Sequence, residues 1–165
     1  MSTPDLPGAR PAVVAFGANL GDRRATVLAA VRELAETDGV RVTAISDVIE
    51  SVAVTPTGED PTAPGYLNGV VLLRTTLAPT ELLAVLHRIE DAHGRVRVER
   101  WGDRTLDLDL VDYDGETVDD AHLTLPHPRA AERDFVLRPW LQVDPDAVLV
   151  GHGRVADLVA RGGAR

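Results

Sequence analysis

Residues 104–115, RTLDLDLVDYDG, decide the fold. Leucine and aspartate alternate through Leu106, Asp107, Leu108, Asp109 and Leu110, and Asp114-Gly115 follows as a hairpin-type turn. A period of two is a strand, with the leucines on one face and both aspartates on the other. Aspartate is a poor strand former, and two carboxylates about 6–7 Å apart on one face repel each other. Such a strand buries one face and keeps the other for charge.

Working outward, the segment before it, APTELLAVLHRIEDAHG, predicts a helix opening near 79. Pro79 sits in its first turn, Leu82, Leu83, Leu86 and Ile89 point inward, and Gly94 ends it. YLNGVVLLRTTL (66–77) reads as a strand, and AVTPTGEDPTAPG (53–65) as a long loop of the kind that forms lids and binding loops. VRVTAISDVIES (40–51) reads as another strand. A helix near 22–37 precedes it, with Asp22 as N-cap, Gly39 as stop, and Val27, Leu28, Val31, Leu34 and Ala35 as its apolar stripe. The first strand falls near 12–16. Residues 1–10 read as a flexible tail and 11–165 as a single domain. After the aspartate strand, a hairpin return near 116–118 is expected, then short helices near 129–143 and 154–161. The order β-α-β-β-α-β predicts an α+β, ferredoxin-like antiparallel sheet. Two main helices cover one face, a C-terminal helical extension follows, and the other face is left for loops and ligands.

Composition narrows the function. A net charge of −9 argues against nucleic-acid or anionic-membrane binding. With no cysteine, thiol catalysis, disulfides and cysteine-based metal sites are excluded. No run of about 18 apolar residues can span a membrane, and the start lacks a basic-then-apolar signal, so the cytoplasm is the expected compartment. All 17 basic residues are arginine, which removes lysine chemistry. Phosphate binding must then use arginine forks, backbone N–H groups and metal ions.

Several standard motifs fail. Gly17-Ala-Asn-Leu-Gly21 resembles a phosphate turn, but no Gly-Lys-Ser/Thr follows, and alone it reads as a strand–helix connection. Counted from Asp107, an EF-hand would need ligands where Val111 and Val118 stand. His87, His93, His122, His127 and His152 lack zinc spacing and read as surface or loop histidines. What remains is the aspartate pair and, upstream, GRVRVERWGDR with Arg95, Arg97, Arg100 and Arg104 around Trp101. Carboxylates hold Mg²⁺ through oxygen, the ion bridges phosphate oxygens, arginines neutralise the remaining charge, and Trp101 offers a packing surface. The residues alone thus indicate a magnesium-dependent phosphoryl-type transferase.

GANLGD, YLNGVV, GRVRVERWGDRTLDLDL and LTLPHPRAAERDFVLRPW, in this order from about 12 to 150, resemble the 6-hydroxymethyl-7,8-dihydropterin pyrophosphokinase family of folate biosynthesis. The resemblance implies that pyrophosphate passes from ATP to the pterin hydroxymethyl group, releasing AMP. It implies two Mg²⁺ ions on Asp107 and Asp109, and Arg95 and Arg104 as catalytic cations against the phosphates. Glu90, Arg97, Arg100, Trp101, Arg104, Leu110, His122, Thr124, His127 and Arg133 become ATP contacts. Tyr66 and Phe135 sandwich the pterin, Asn68 bonds its edge, Asp107 stands beside it, and Ser51 and Val54 take the places of a loop segment that lines its pocket. His122 and Pro128 stand where some members carry Arg and Tyr, and the 51–65 loop is the largest departure. In the family this loop and the 94–103 segment close over the ligands. A monomer without nucleic-acid or membrane partners is expected. The alternatives are another Mg-nucleotide transferase on this scaffold, or a non-catalytic nucleotide- or metal-binding module.

Overall fold

The computed structural model describes residues 6–19, 22–51, 53–55, 58–60, 65–94 and 106–162. β1 (Arg10–Ala18) leads into α1 (Arg23–Ala35), where Asp22 accepts the Ala25 N–H as N-cap at 3.1 Å. Next come β2 (Val40–Ile45) and β3 (Ile49–Ser51), then β4 (Ala53–Thr55) and β5 (Gly58–Asp60). The long β6 (Tyr66–Thr75) feeds α2 (Pro79–Gly94), and β7 (Leu106–Tyr113) is the aspartate strand. β8 (Val118–Asp119), β9 (Thr124–Leu125), α3 (Asp134–Val143), β10 (Val148–Leu149), β11 (Gly153–Arg154) and α4 (Val155–Gly162) complete the chain.

The main sheet runs β2-β6-β1-β7, every neighbouring pair antiparallel, with β3 continuing the β2 edge of β6. This is the expected α+β, ferredoxin-like arrangement. α1 and α2 cover one face through Val27, Ala30, Leu34, Leu82, Leu86 and Ile89, packed on Val14, Phe16, Leu73, Leu106, Leu108 and Leu110. Phe16 lies over Gly69, where a Cβ would stand 2.3 Å from the ring, so the strand interior there has room only for glycine.

Five expectations change. The first strand begins at Arg10, inside the expected tail, because Arg10 is held by Asp114 at 2.8 Å and by Glu116. Leu28 is 67% exposed, and Ala35 is exposed as well; α1 meets the sheet through 27, 30 and 34, leaving Leu28 off that line. The 53–65 stretch carries a ladder, β4 on β5, because Val54 and Thr55 are strand formers among the Pro and Gly residues. The hairpin return pairs β8 with β9 rather than with β7. The turn itself forms, with Asp114 and Gly115 both at positive φ, but its acidic groups fold back onto Arg10 of β1.

Finally, the second face of the sheet is only partly free. Val136, Leu137 and Trp140 of α3, with Leu149 and Val155, close over Val13, Ala15, Val70 and Val111. A register shift beside Val13 and Val14 places Val111 as a bulge, after which Tyr113 joins the helix-side core and its hydroxyl donates to the Leu77 carbonyl.

Candidate functional site

The uncovered part of that face is a trough made by register. Gly17 of β1 lies opposite Asn68 on one side and Asp107 on the other; two residues back, Ala15 lies between Val70 and Asp109. Paired residues share a face, and strands stand about 4.7–4.9 Å apart. Two small residues on the central strand thus leave a floor between an amide and two carboxylates. A Cβ on Gly17 would already meet Asn68 Oδ1 at 3.2 Å and Tyr66 Cδ1 at 3.5 Å.

Two cavities open from this floor and share Asp107 and Asp109. One, of about 260 Å³, is walled by Tyr66, Asn68, Ser51 and Phe135. The other, of about 350 Å³, is walled by Glu90, His122, Thr124 and His127, with Leu110 at its edge. In the first, Asn68 is 4% exposed and its amide donates to Ser51 Oγ at 2.8 Å and toward the Tyr66 carbonyl at 3.2 Å. Its orientation is therefore set before any ligand arrives. Phe135 comes from the first turn of α3, and the Arg133 guanidinium sits 5.6 Å from its ring centre.

Arg133 also reaches Asp109 Oδ2 at 3.5 Å, while His127 Nε2 stands 3.8 Å from Asp109 Oδ1. Burial lowers the His127 pKa; Asp109 opposes this, and the nearby Arg133 and Arg129 add to it. At neutral pH the ring is neutral. Nδ1 accepts the Arg129 N–H at 3.2 Å, so Nε2 carries the proton and presents a donor beside the carboxylates. His127 is fixed through its own N–H, which donates to Val111 at 2.9 Å. The preceding turn is built on Asp120, whose carboxylate accepts the His122 and Leu123 N–H groups and whose pKa is lowered by them.

Glu90 has a second position in the wall. Glu90 is 8% exposed and its carboxylate accepts the Leu108 N–H at 2.8 Å, joining α2 to β7. Leu110 belongs to the helix-side core at 3% exposure and only touches the cavity. The structure thus brings together Ser51, Tyr66, Asn68, Asp107, Asp109, Arg133 and Phe135 in one cavity. Glu90, His122, Thr124 and His127 join the same carboxylates in the other. The side chain of Val54, and all of Arg95, Arg97, Arg100, Trp101 and Arg104, lie outside the described residues.

Sequence reasoning missed Ala15, Gly17 and Val136 in the first cavity, and Leu83 and His87 in the second. A glycine inside a strand is the signal that could have found Gly17, since it marks a close approach. Ala15, Val136 and Leu83 carry no chemical signature. His87 read as a surface histidine and is exposed, yet it borders the second cavity.

Asp107 and Asp109 suit a hard cation: two carboxylates on one face, half-exposed, with Asp109 38% accessible and open to both cavities. Among the described residues no cluster of three or more metal-binding side chains occurs. One or two carboxylates completed by water and phosphate is the donor set that Mg²⁺ ordinarily takes from proteins.

The profile of the 7,8-dihydro-6-hydroxymethylpterin-pyrophosphokinase (HPPK) family matches residues 13–145. The chain is 43% identical over 137 residues to a 2-amino-4-hydroxy-6-hydroxymethyldihydropteridine pyrophosphokinase of Synechocystis, covering 83% of this chain and 68% of that one. A protein of the same name from Methylorubrum extorquens is 42% identical over 140 residues, covering 85% and 86%. Among solved structures, Plasmodium falciparum HPPK-DHPS with pteroate superimposes with a TM-score of 0.70 at 14% identity, an agreement of fold. The match covers all of this chain but 44% of that one, so the chain spans less than half of that longer protein. No helix among the described residues is long and apolar enough to cross a membrane.

Proposed function

This chain belongs to the 7,8-dihydro-6-hydroxymethylpterin-pyrophosphokinase family, and from that premise we infer that it transfers pyrophosphate from ATP to 6-hydroxymethyl-7,8-dihydropterin in folate biosynthesis. The hydroxymethyl oxygen forms a bond to the β-phosphorus and gives up its proton, the bond from that phosphorus to the α-bridging oxygen breaks, and AMP leaves. The products are the pterin diphosphate and AMP.

The observation that carries this reading is the pair of cavities sharing Asp107 and Asp109. An acceptor held by the rings of Tyr66 and Phe135 and the Asn68 amide meets a phosphate chain from the other cavity at those carboxylates. The transfer needs little covalent chemistry from the protein; it needs alignment and charge neutralisation. Asp107 and Asp109 would hold two Mg²⁺ ions, which supply cationic charge to the phosphate oxygens. His127 offers a neutral N–H donor to a phosphate oxygen, and Arg133 a cation between Asp109 and the Phe135 ring. Glu90, Leu110, His122 and Thr124 border the nucleotide. Arg95, Arg97, Arg100, Trp101 and Arg104 act on its phosphates and base, with Arg95 and Arg104 as the catalytic cations. Ser51 and Val54 belong to the pterin side.

The same reading has the chain working as a cytoplasmic monomer. Another nucleotide transferase would have no use for the Tyr66, Asn68 and Phe135 set. A binding module would not need two carboxylates shared by both cavities. The test is AMP formation from ATP and Mg²⁺ with and without the pterin. AMP that depends on the pterin supports the reading, and its absence in the presence of Mg-dependent ATP binding refutes the pterin assignment.

A further inference from the structure

Arg23 opens α1 where a helix least favours a cation. The first turn carries the positive end of the backbone dipole, and beyond the N-cap Asp22 no acidic residue in that turn offsets Arg23 and Arg24. A local rule broken in this way points to a use for the side chain elsewhere. The guanidinium leaves the helix and grips two points at once: Nη1 donates to the Gly65 carbonyl at 2.7 Å, and Nη2 pairs with Glu50 Oε1 at 3.2 Å.

Those two points are the stems of the departing 51–64 segment. Glu50 pairs with Leu67 in the sheet, and the next pair is Ser51 with Tyr66. Gly65 is also seated against Ser51, since a Cβ at 65 would stand 2.6 Å from the Ser51 carbonyl oxygen. Immediately beyond the grip, Ser51 and Tyr66 both line the aromatic cavity, and Ser51 Oγ takes the Asn68 amide proton at 2.8 Å. Arg23 itself lines neither cavity.

We propose that Arg23 is a positioning residue for the acceptor cavity: by clamping both stems it fixes the spacing of Ser51 and Tyr66, and through them the ring and the amide that receive the pterin. The proposal rests on that cavity being the pterin site. Of the two contacts, the carbonyl bond dominates. Glu50 is 67% exposed, so its ion pair contributes little, whereas Arg23 is only 28% exposed and its bond to Gly65 is charge-assisted. Lysine keeps the charge but lacks a planar fork for two acceptors.

The experiment is steady-state kinetics with pterin and Mg·ATP varied separately, on wild type, Arg23→Met, Arg23→Lys and Gly65→Ala. Arg23→Met is expected to raise KM for the pterin about tenfold, with kcat and the Mg·ATP KM within about twofold. Arg23→Lys should fall between it and wild type. Gly65→Ala, which disturbs the same pinch without touching Arg23, should move the same constant. An unchanged pterin KM in Arg23→Met, or equal losses for both substrates, overturns the proposal while the pterin reading stands. Wild-type protein that makes no AMP with the pterin overturns both.

Discussion

β7 holds three aspartates under two regimes, divided by the bulge at Val111. Before it, Asp107 and Asp109 face the shared space between two cavities, half-exposed and flanked by Arg133 and His127. After it, Asp112 is 9% exposed and its Oδ1 has no hydrogen-bond partner among the described residues. Its other oxygen accepts only a long bond from the Gly115 N–H at 3.4 Å. Burial raises the Asp112 pKa, with the Gly115 bond opposing and Asp114 adding. A carboxylate on one strand is useful where cations can reach it and is a burden three residues later.

The largest expected effect lies before the bulge. Asp107→Ala or Asp109→Ala should abolish turnover at any practical Mg²⁺ concentration; near-normal AMP formation in either variant would break the metal half of the comparison. Next, Arg104→Ala should lower kcat by about 10²- to 10³-fold with the far-UV spectrum unchanged, as for a charge acting mainly in the transition state. An intact kcat would remove Arg104 from the chemistry. Smaller again, Asn68→Ala should raise the pterin KM about 10- to 100-fold by leaving a polar edge unpaired, while Mg·ATP affinity holds. A matching loss of nucleotide affinity would mean that the two cavities are not separable.

The smallest effect lies after the bulge. A carboxyl whose folded pKa is raised binds its proton more tightly when folded. Stability is therefore lost as pH climbs from the ordinary carboxylate range through the raised value, and the loss persists at neutral pH. Asp112→Asn should stabilise the protein by about 1 kcal/mol at pH 7, with no gain at a pH below the ordinary carboxylate range. Urea unfolding at both pH values checks this, and a destabilised variant at pH 7 would erase the contrast with Asp107 and Asp109.

Much of this was legible because periodicity reports which face is buried. The Leu-Asp alternation located β7 and both faces of its first half, and Asp22 marked the start of α1. The bulge was not legible: nothing in LVDY distinguishes Tyr113 returning to the helix side from a continued alternation, because register is settled by the partner strand. The same limit hid Ala15 and Gly17, whose part in the site is to be small between two neighbours. It also hid α3 closing half of the open face, which depends on where a C-terminal extension docks. Leu28 was misplaced by counting every apolar residue into a stripe. Asn68-Gly69, a pair typical of hairpin turns, lies in mid-strand because Gly69 yields to the Phe16 ring and Asn68 faces the trough. Tyr66, Asn68, Phe135 and the two aspartates could be nominated one by one from the sequence, whereas the division of their surroundings into two cavities with a common wall could not.

Glu90 has a consequence beyond the site it borders. Among the described residues β7 pairs with β1 alone and so forms an edge of the main sheet. Open edges recruit foreign strands and seed aggregates. Here the outward Leu108 N–H is taken by the Glu90 carboxylate, and the Val111 carbonyl by the His127 N–H. With aspartate at alternate positions as well, an incoming strand meets two outward groups already engaged and carboxylates on one face. Residues that border the second cavity thus also blunt an edge of the sheet.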